Sequence, residues 1–123
     1  MIEEGHMAEE SATEMRAMMA RWETLREHWA LEPHEEAGLL GDSALTGPVE
    51  EVASWRASQM EQRMRLLIDL GAGLDSLLLD RDRIRIWLRR ETHSFAGRSA
   101  IDFMSSSVDW IRHLRRIIWV FTQ

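Results

Sequence analysis

The sequence predicts an all-α, single-domain fold of six or seven short helices. Three observations carry that expectation. Apolar residues recur at three- and four-residue steps through most of the chain, helix-end signals (S-x-x-E pairs, Pro and Gly) punctuate it, and almost no segment alternates with period two. Its 123 residues are enough for one core and short of the length at which chains usually divide into two domains.

Ser11 and Glu14 have the spacing of a capping box, in which each side chain satisfies an orphan N–H of the first turn. Met15, Met18 or Met19, Trp22, Leu25 and Trp29 follow on one face, which predicts a first helix over 12 to 29. Pro33 suits the first turn of a second helix and Gly41 its end, giving 33 to 40. Gly47-Pro48 signals another start, for a helix over 48 to 56, and Ser58 with Glu61 restarts one over 59 to 78. In that longer helix Met60, Met64, Leu67, Ile68 and Leu74 make a wide apolar stripe. Gly71 and Gly73 each cost about 1 kcal/mol of helix propensity relative to alanine, a cost that close approach of another backbone would explain.

Asp80 caps a helix over 81 to 90 that turns Ile84, Trp87 and Leu88 inward. Ser99 with Asp102 begins a short helix to 105, and Ser107 opens the last one, with Trp110, Leu114, Ile117 and Ile118 on its buried side. The β-branched and aromatic run from Ile117 to Thr122 also reads as a strand extended against a partner. Trp22, Trp29, Trp55, Trp87 and Trp110 fall on apolar faces and are expected in the core. Trp119 differs, because the segment around it is apolar on every side and needs something to cover it.

The absence of cysteine excludes disulfides, thiolate metal sites and thiol nucleophiles. No apolar run is long enough to span a membrane and the N-terminus is acidic, so a cytoplasmic protein without membrane contact is expected. No two of the five histidines stand at the i, i+4 spacing that, with a carboxylate, makes a helical zinc site. His93, Ser94 and Asp102 lack the strand-turn-helix setting of a nucleophile elbow, and Gly71-x-Gly73 lacks the rest of a phosphate loop. No catalytic residue, metal or cofactor is therefore expected, and Glu35-Glu36 and Glu50-Glu51 read as solvated helix faces.

Charge is polarised: thirteen acidic and four basic residues precede residue 61, and eight acidic and eleven basic follow. All fifteen basic residues are arginine. Five of them fall within residues 81–90, where Arg81, Arg85 and Arg89 share a helix face. That face reads either as a site for phosphate or an acidic partner, or as a solvated surface partly neutralised by Asp80, Asp82 and Glu91.

Trp87-Leu88-Arg89 followed by Phe95-Ala96-Gly97-Arg98-Ser99-Ala100-Ile101-Asp102-Phe103-Met104 resembles the W-L-R…F-x-G-R-S-x-x-D-x-M signature of the Xre/MbcA/ParS toxin-binding domain of bacterial type II antitoxins. Upstream, Trp29-Ala30-Leu31 and Glu35 to Gly41 are similar to the degenerate Xre-like helix-turn-helix preceding it in those antitoxins. The resemblance implies a first helix and tail over 1–28, a degenerate helix-turn-helix over 29–57 and a toxin-binding region over 58–123, within one structural domain. It implies a non-enzymatic antitoxin that neutralises a RES-domain, NAD-consuming toxin by covering its NAD pocket with the C-terminal segment, and that self-associates.

On that reading Arg89, Arg98, Trp119, Val120 and Phe121 are the expected partner-binding residues, with Arg98 equally open to an intradomain salt bridge. The chain departs from the family at its end, Trp-Val-Phe-Thr-Gln, and at Gly47-Pro48, which interrupts the helix-turn-helix. The alternatives are a DNA-binding autorepressor and an orphan protein-interaction module. For the autorepressor, Arg56 is the one candidate phosphate contact between residues 42 and 57, and Glu50 and Glu51 stand where a reader would carry polar or basic groups, so only weak operator binding is expected.

Overall fold

The computed structural model describes the backbone of residues 2–41 and 49–122 and the side chains of 13–41 and 59–122. The chain is all-α: α1 (Ile2–His28), α2 (Pro33–Leu40), α3 (Val49–Leu78), α4 (Arg81–Arg89), α5 (Ala100–Ser106) and α6 (Val108–Thr122), with a 3-10 turn at His93–Phe95. Among the described residues the extended pairing is limited to an isolated antiparallel bridge between Thr92 and Arg98.

Three of the expected caps form. Asp80 Oδ1 accepts from the Asp82 N–H at 2.9 Å, Ser99 Oγ from Asp102 at 3.1 Å and Ser107 Oγ from Asp109 at 3.2 Å. Gly41 ends α2 at φ 74°, a left-handed conformation that only glycine adopts without strain. Three boundaries differ from expectation. α1 begins well before Ser11, since residues 2–10 contain no proline and their glutamates suit a helix N-terminus. α3 runs through Ser58 without a break, because S-x-x-E is compatible with a helix interior and no proline follows Pro48. The run from Ile117 is helical, as the last part of α6. The expected helix-turn-helix is accordingly not delineated: its turn, 42–48, lies outside the described residues, and its second helix is the beginning of α3.

The core gathers one stripe from each helix. Trp22, Leu25 and Trp29 of α1, Leu39 and Leu40 of α2, Leu67, Leu70 and Leu74 of α3 and Ile84 and Leu88 of α4 are buried, with Ile101 and Met104 of α5 and Ile111, Leu114 and Ile118 of α6. α3 and α6 form the most extensive helix pair and run in the same direction, since Asp69 pairs with Arg115 and Gly73 lies beside Ile118 and Trp119. The two glycines of α3 are where close approach requires them. A Cβ on Gly71 would stand 2.5 Å from Leu25 Cδ1, and one on Gly73 2.8 Å from Ile118 Cγ2.

Not every expected core residue is inside. Trp22 and Trp29 are buried and Trp87 is half-buried, but Trp110 and Ile117 are each 39% exposed. They lie just beyond the edge of the α6 stripe that Ile111, Leu114 and Ile118 occupy. The side chain of Trp55 lies outside the described residues.

Gly73 gives a direct check. Gly73→Ala gains about 1 kcal/mol of helix propensity but presses a methyl onto a β-branched side chain with little rotamer freedom, an overpacking cost of about 1–3 kcal/mol. A net loss of about 1 kcal/mol in urea denaturation is expected. An unchanged or raised midpoint would show that the α3–α6 approach is not close.

Candidate partner-binding surface

The arginine-rich helix α4 divides its side chains between inside and outside. Arg85 and Arg89, one turn apart, face the C-terminal end of α1. Arg85 donates through Nε to the His28 carbonyl at 2.9 Å and through Nη2 to that of Glu27 at 3.3 Å. Arg89 donates through Nη2 to the carbonyls of Trp29 at 2.9 Å and Ala30 at 3.0 Å. A helix end leaves its last carbonyls without intrahelical partners and carries partial negative charge, so two guanidinium groups there satisfy both demands. The chain turns at Ala30, φ 52°, with the Leu31 N–H donating to the Arg26 carbonyl and that of Ala30 to Glu27, the bonding of a Schellman motif.

The adjacent carboxylates of α2, expected to be solvated, instead reach two different helices. Successive helical side chains point about 100° apart, and here that separation aims each at its own neighbour. Glu35, its side chain only 13% exposed, pairs with Arg89 at 3.0 Å and accepts from the Glu32 N–H at 3.0 Å. Glu36 accepts from Trp22 Nε1 at 2.8 Å and from Arg26 at 3.3 Å. Burial pushes the Glu35 carboxyl up, but the Glu32 N–H and the Arg89 guanidinium outweigh it and hold it below its ordinary value. Arg63 repeats the theme on α2, donating to the Leu39 carbonyl at 3.3 Å; burial lowers its own pKa. Arg89, expected to bind a partner, is thus committed inside the domain.

Arg98 is placed otherwise. The segment Phe95 to Ser99 turns through Ala96 and Gly97, both left-handed, into the Ser99 cap of α5. Asp102 contributes its N–H to that cap, and its exposed carboxylate makes no return bond. Phe95 is buried and anchors the turn, whereas the Arg98 side chain is exposed and has no hydrogen bond or ion pair among the described residues. The intradomain salt bridge open to it from sequence does not form there.

At the end of α6 the three expected contact residues separate. Trp119 turns inward beside Gly73, with its Nε1 buried and unpartnered, so it belongs to the α3–α6 packing. Val120 and Phe121 are 66% and 70% exposed and, with Ile117 at three- and four-residue spacing, share an outward apolar face of α6. Trp110 belongs to a ladder of rings in which Trp87, Phe95, Phe103 and Trp110 follow one another at centroid distances of 6.1, 5.3 and 4.1 Å. The ladder was not foreseen, because the four residues come from three helices and a turn with no common period. Arg56 lies in α3 with its side chain outside the described residues.

His93, Ser94 and Asp102 make no hydrogen bond with one another, and among the described residues no group of three histidine or acidic side chains converges as a metal site. No described helix is long and apolar enough to cross a membrane. No protein-family model, curated protein or solved structure matches the chain.

The depressed Glu35 value sets an acid dependence. A carboxyl whose pKa is lowered by folding contributes its stability above the unfolded value, near 4.5, and loses it as pH falls through the folded value. Glu35→Gln is therefore expected to be less stable than the natural chain at pH 7, with the gap narrowing at pH 3, as read by urea denaturation. A gap independent of pH would contradict the ion pair.

Proposed function

We propose that the chain is a protein-binding module that uses the outward end of α6, and that its partner is a RES-domain, NAD-consuming toxin which it neutralises as an antitoxin. The observation that carries a docked partner is the exposure of Ile117, Val120 and Phe121 on a helix whose other apolar face, Ile111, Leu114 and Ile118, is already spent on the core. Clustered large apolar side chains at the surface are stabilised by a second chain, and aromatic anchors dominate such contacts. The toxin identity rests on the likeness of Trp87 to Arg89 and Phe95 to Met104 to the antitoxin signature. In keeping with it, that segment forms a fixed turn that leaves Arg98 free. The contact on this account is made by Val120 and Phe121 rather than Trp119, and no reaction is assigned to the chain.

Co-expression with a RES-domain toxin tests this. Val120→Asp with Phe121→Asp is expected to keep the helical circular dichroism and melting temperature while abolishing growth rescue and recovery of cellular NAD. Truncation of a buried anchor of this kind typically costs on the order of 2 kcal/mol of binding or more. Trp119→Ala, in contrast, is expected to lower the melting temperature. Full rescue by the double aspartate variant would overturn the α6 contact, and nanomolar, sequence-specific binding to promoter DNA would favour a transcriptional regulator.

A further inference from the structure

A second candidate site lies on α4, built from residues that the α6 reading does not use. A groove of about 410 Å³ opens between the end of α3, the outer face of α4 and the 3-10 turn. Its apolar side is Leu78, Ile86, Trp87 and Phe95, and its charged groups are Arg83 and Arg90, with no carboxylate among its lining residues. The Arg90 guanidinium has no hydrogen bond or ion pair among the described residues. Arg83 meets a counter-charge only at 4.0 Å, from Asp80. Thr92 lines the same groove, and its Oγ1 is buried without a partner.

These features call for an occupant of particular chemistry. Guanidinium groups with one weak counter-charge or none, set over apolar walls, fit carboxylates beside an apolar side chain. Beside Leu78, Leu79 is held left-handed at φ 58° with 83% of its surface exposed, so a large apolar side chain is presented to solvent at a conformational cost.

We propose that this groove binds an acidic peptide segment of a partner protein, with an aliphatic or aromatic residue against Trp87 and Phe95 and carboxylates on Arg83 and Arg90. The proposal does not depend on the toxin reading. The test is fluorescence anisotropy with a fluorescein-labelled Glu-Glu-Leu-Phe-Glu-Glu peptide as probe. Binding that weakens with salt is expected, together with a loss of at least about tenfold in Arg83→Glu with Arg90→Glu. A lysine-for-glutamate peptide should not bind. The proposal is overturned if the acidic peptide fails to bind, if serine in place of Leu-Phe binds equally well, or if the charge-reversal variant binds as the natural chain does. Loss of binding in Val120→Asp with Phe121→Asp would place the peptide on α6 instead. Sedimentation showing a self-association that the peptide competes away would make a second copy the occupant.

Discussion

The structure depends on one arrangement of opposite partial charges: the guanidinium groups of Arg85 and Arg89 closing the carbonyl end of α1. α1 and α4 are more than fifty residues apart in sequence, so this bond set ties the acidic first half of the chain to the basic second half. Arg89 also holds Glu35 of α2, which brings three helices to one guanidinium. Charge-assisted hydrogen bonds of this kind contribute about 1.5–3 kcal/mol each, and partial exposure of Arg89 places them at the lower end. Lysine, with no planar fork, would not reach several carbonyls from one position as well. An all-arginine composition therefore suits the fold, whatever its origin.

The same helix geometry that turns Arg85 and Arg89 inward leaves other arginines outward. Residues one turn apart share a face, so a single short helix carries both the clasp and the free charges. Arg83 and Arg90 border an apolar groove, and the rings that begin there at Trp87 and Phe95 continue through Phe103 and Trp110. The surface thus joins unpaired cations to apolar side chains along the second half of the chain, where the sequence places its net positive charge. A protein partner with acidic and apolar character is the occupant that both features favour.

Much of the architecture was legible because it is local. Asp80, Ser99 and Ser107 cap the helices expected of them, Pro33 and Gly41 bound α2, and Gly71 and Gly73 mark close approaches. The continuity of α3 was not legible, since S-x-x-E is as acceptable inside a helix as at its start. The site was harder to read because its residues are sorted by tertiary contacts. Arg89 and Arg98 look alike in sequence, yet one faces a helix end and the other faces solvent. Trp119 and Phe121 sit in one apolar run, but two residues of helix rotate them to opposite fates. Glu35 and Glu36 read as solvated acids in sequence because nothing in their spacing reveals that α1 and α4 flank α2.

Native-state hydrogen exchange in Arg89→Met, which keeps an aliphatic stem while removing the donors, tests the clasp most directly. The account predicts that the amides of residues 27–31 and of α2 lose protection together, whereas Arg90→Met leaves them as they are. Unchanged protection at the end of α1 in Arg89→Met would contradict it.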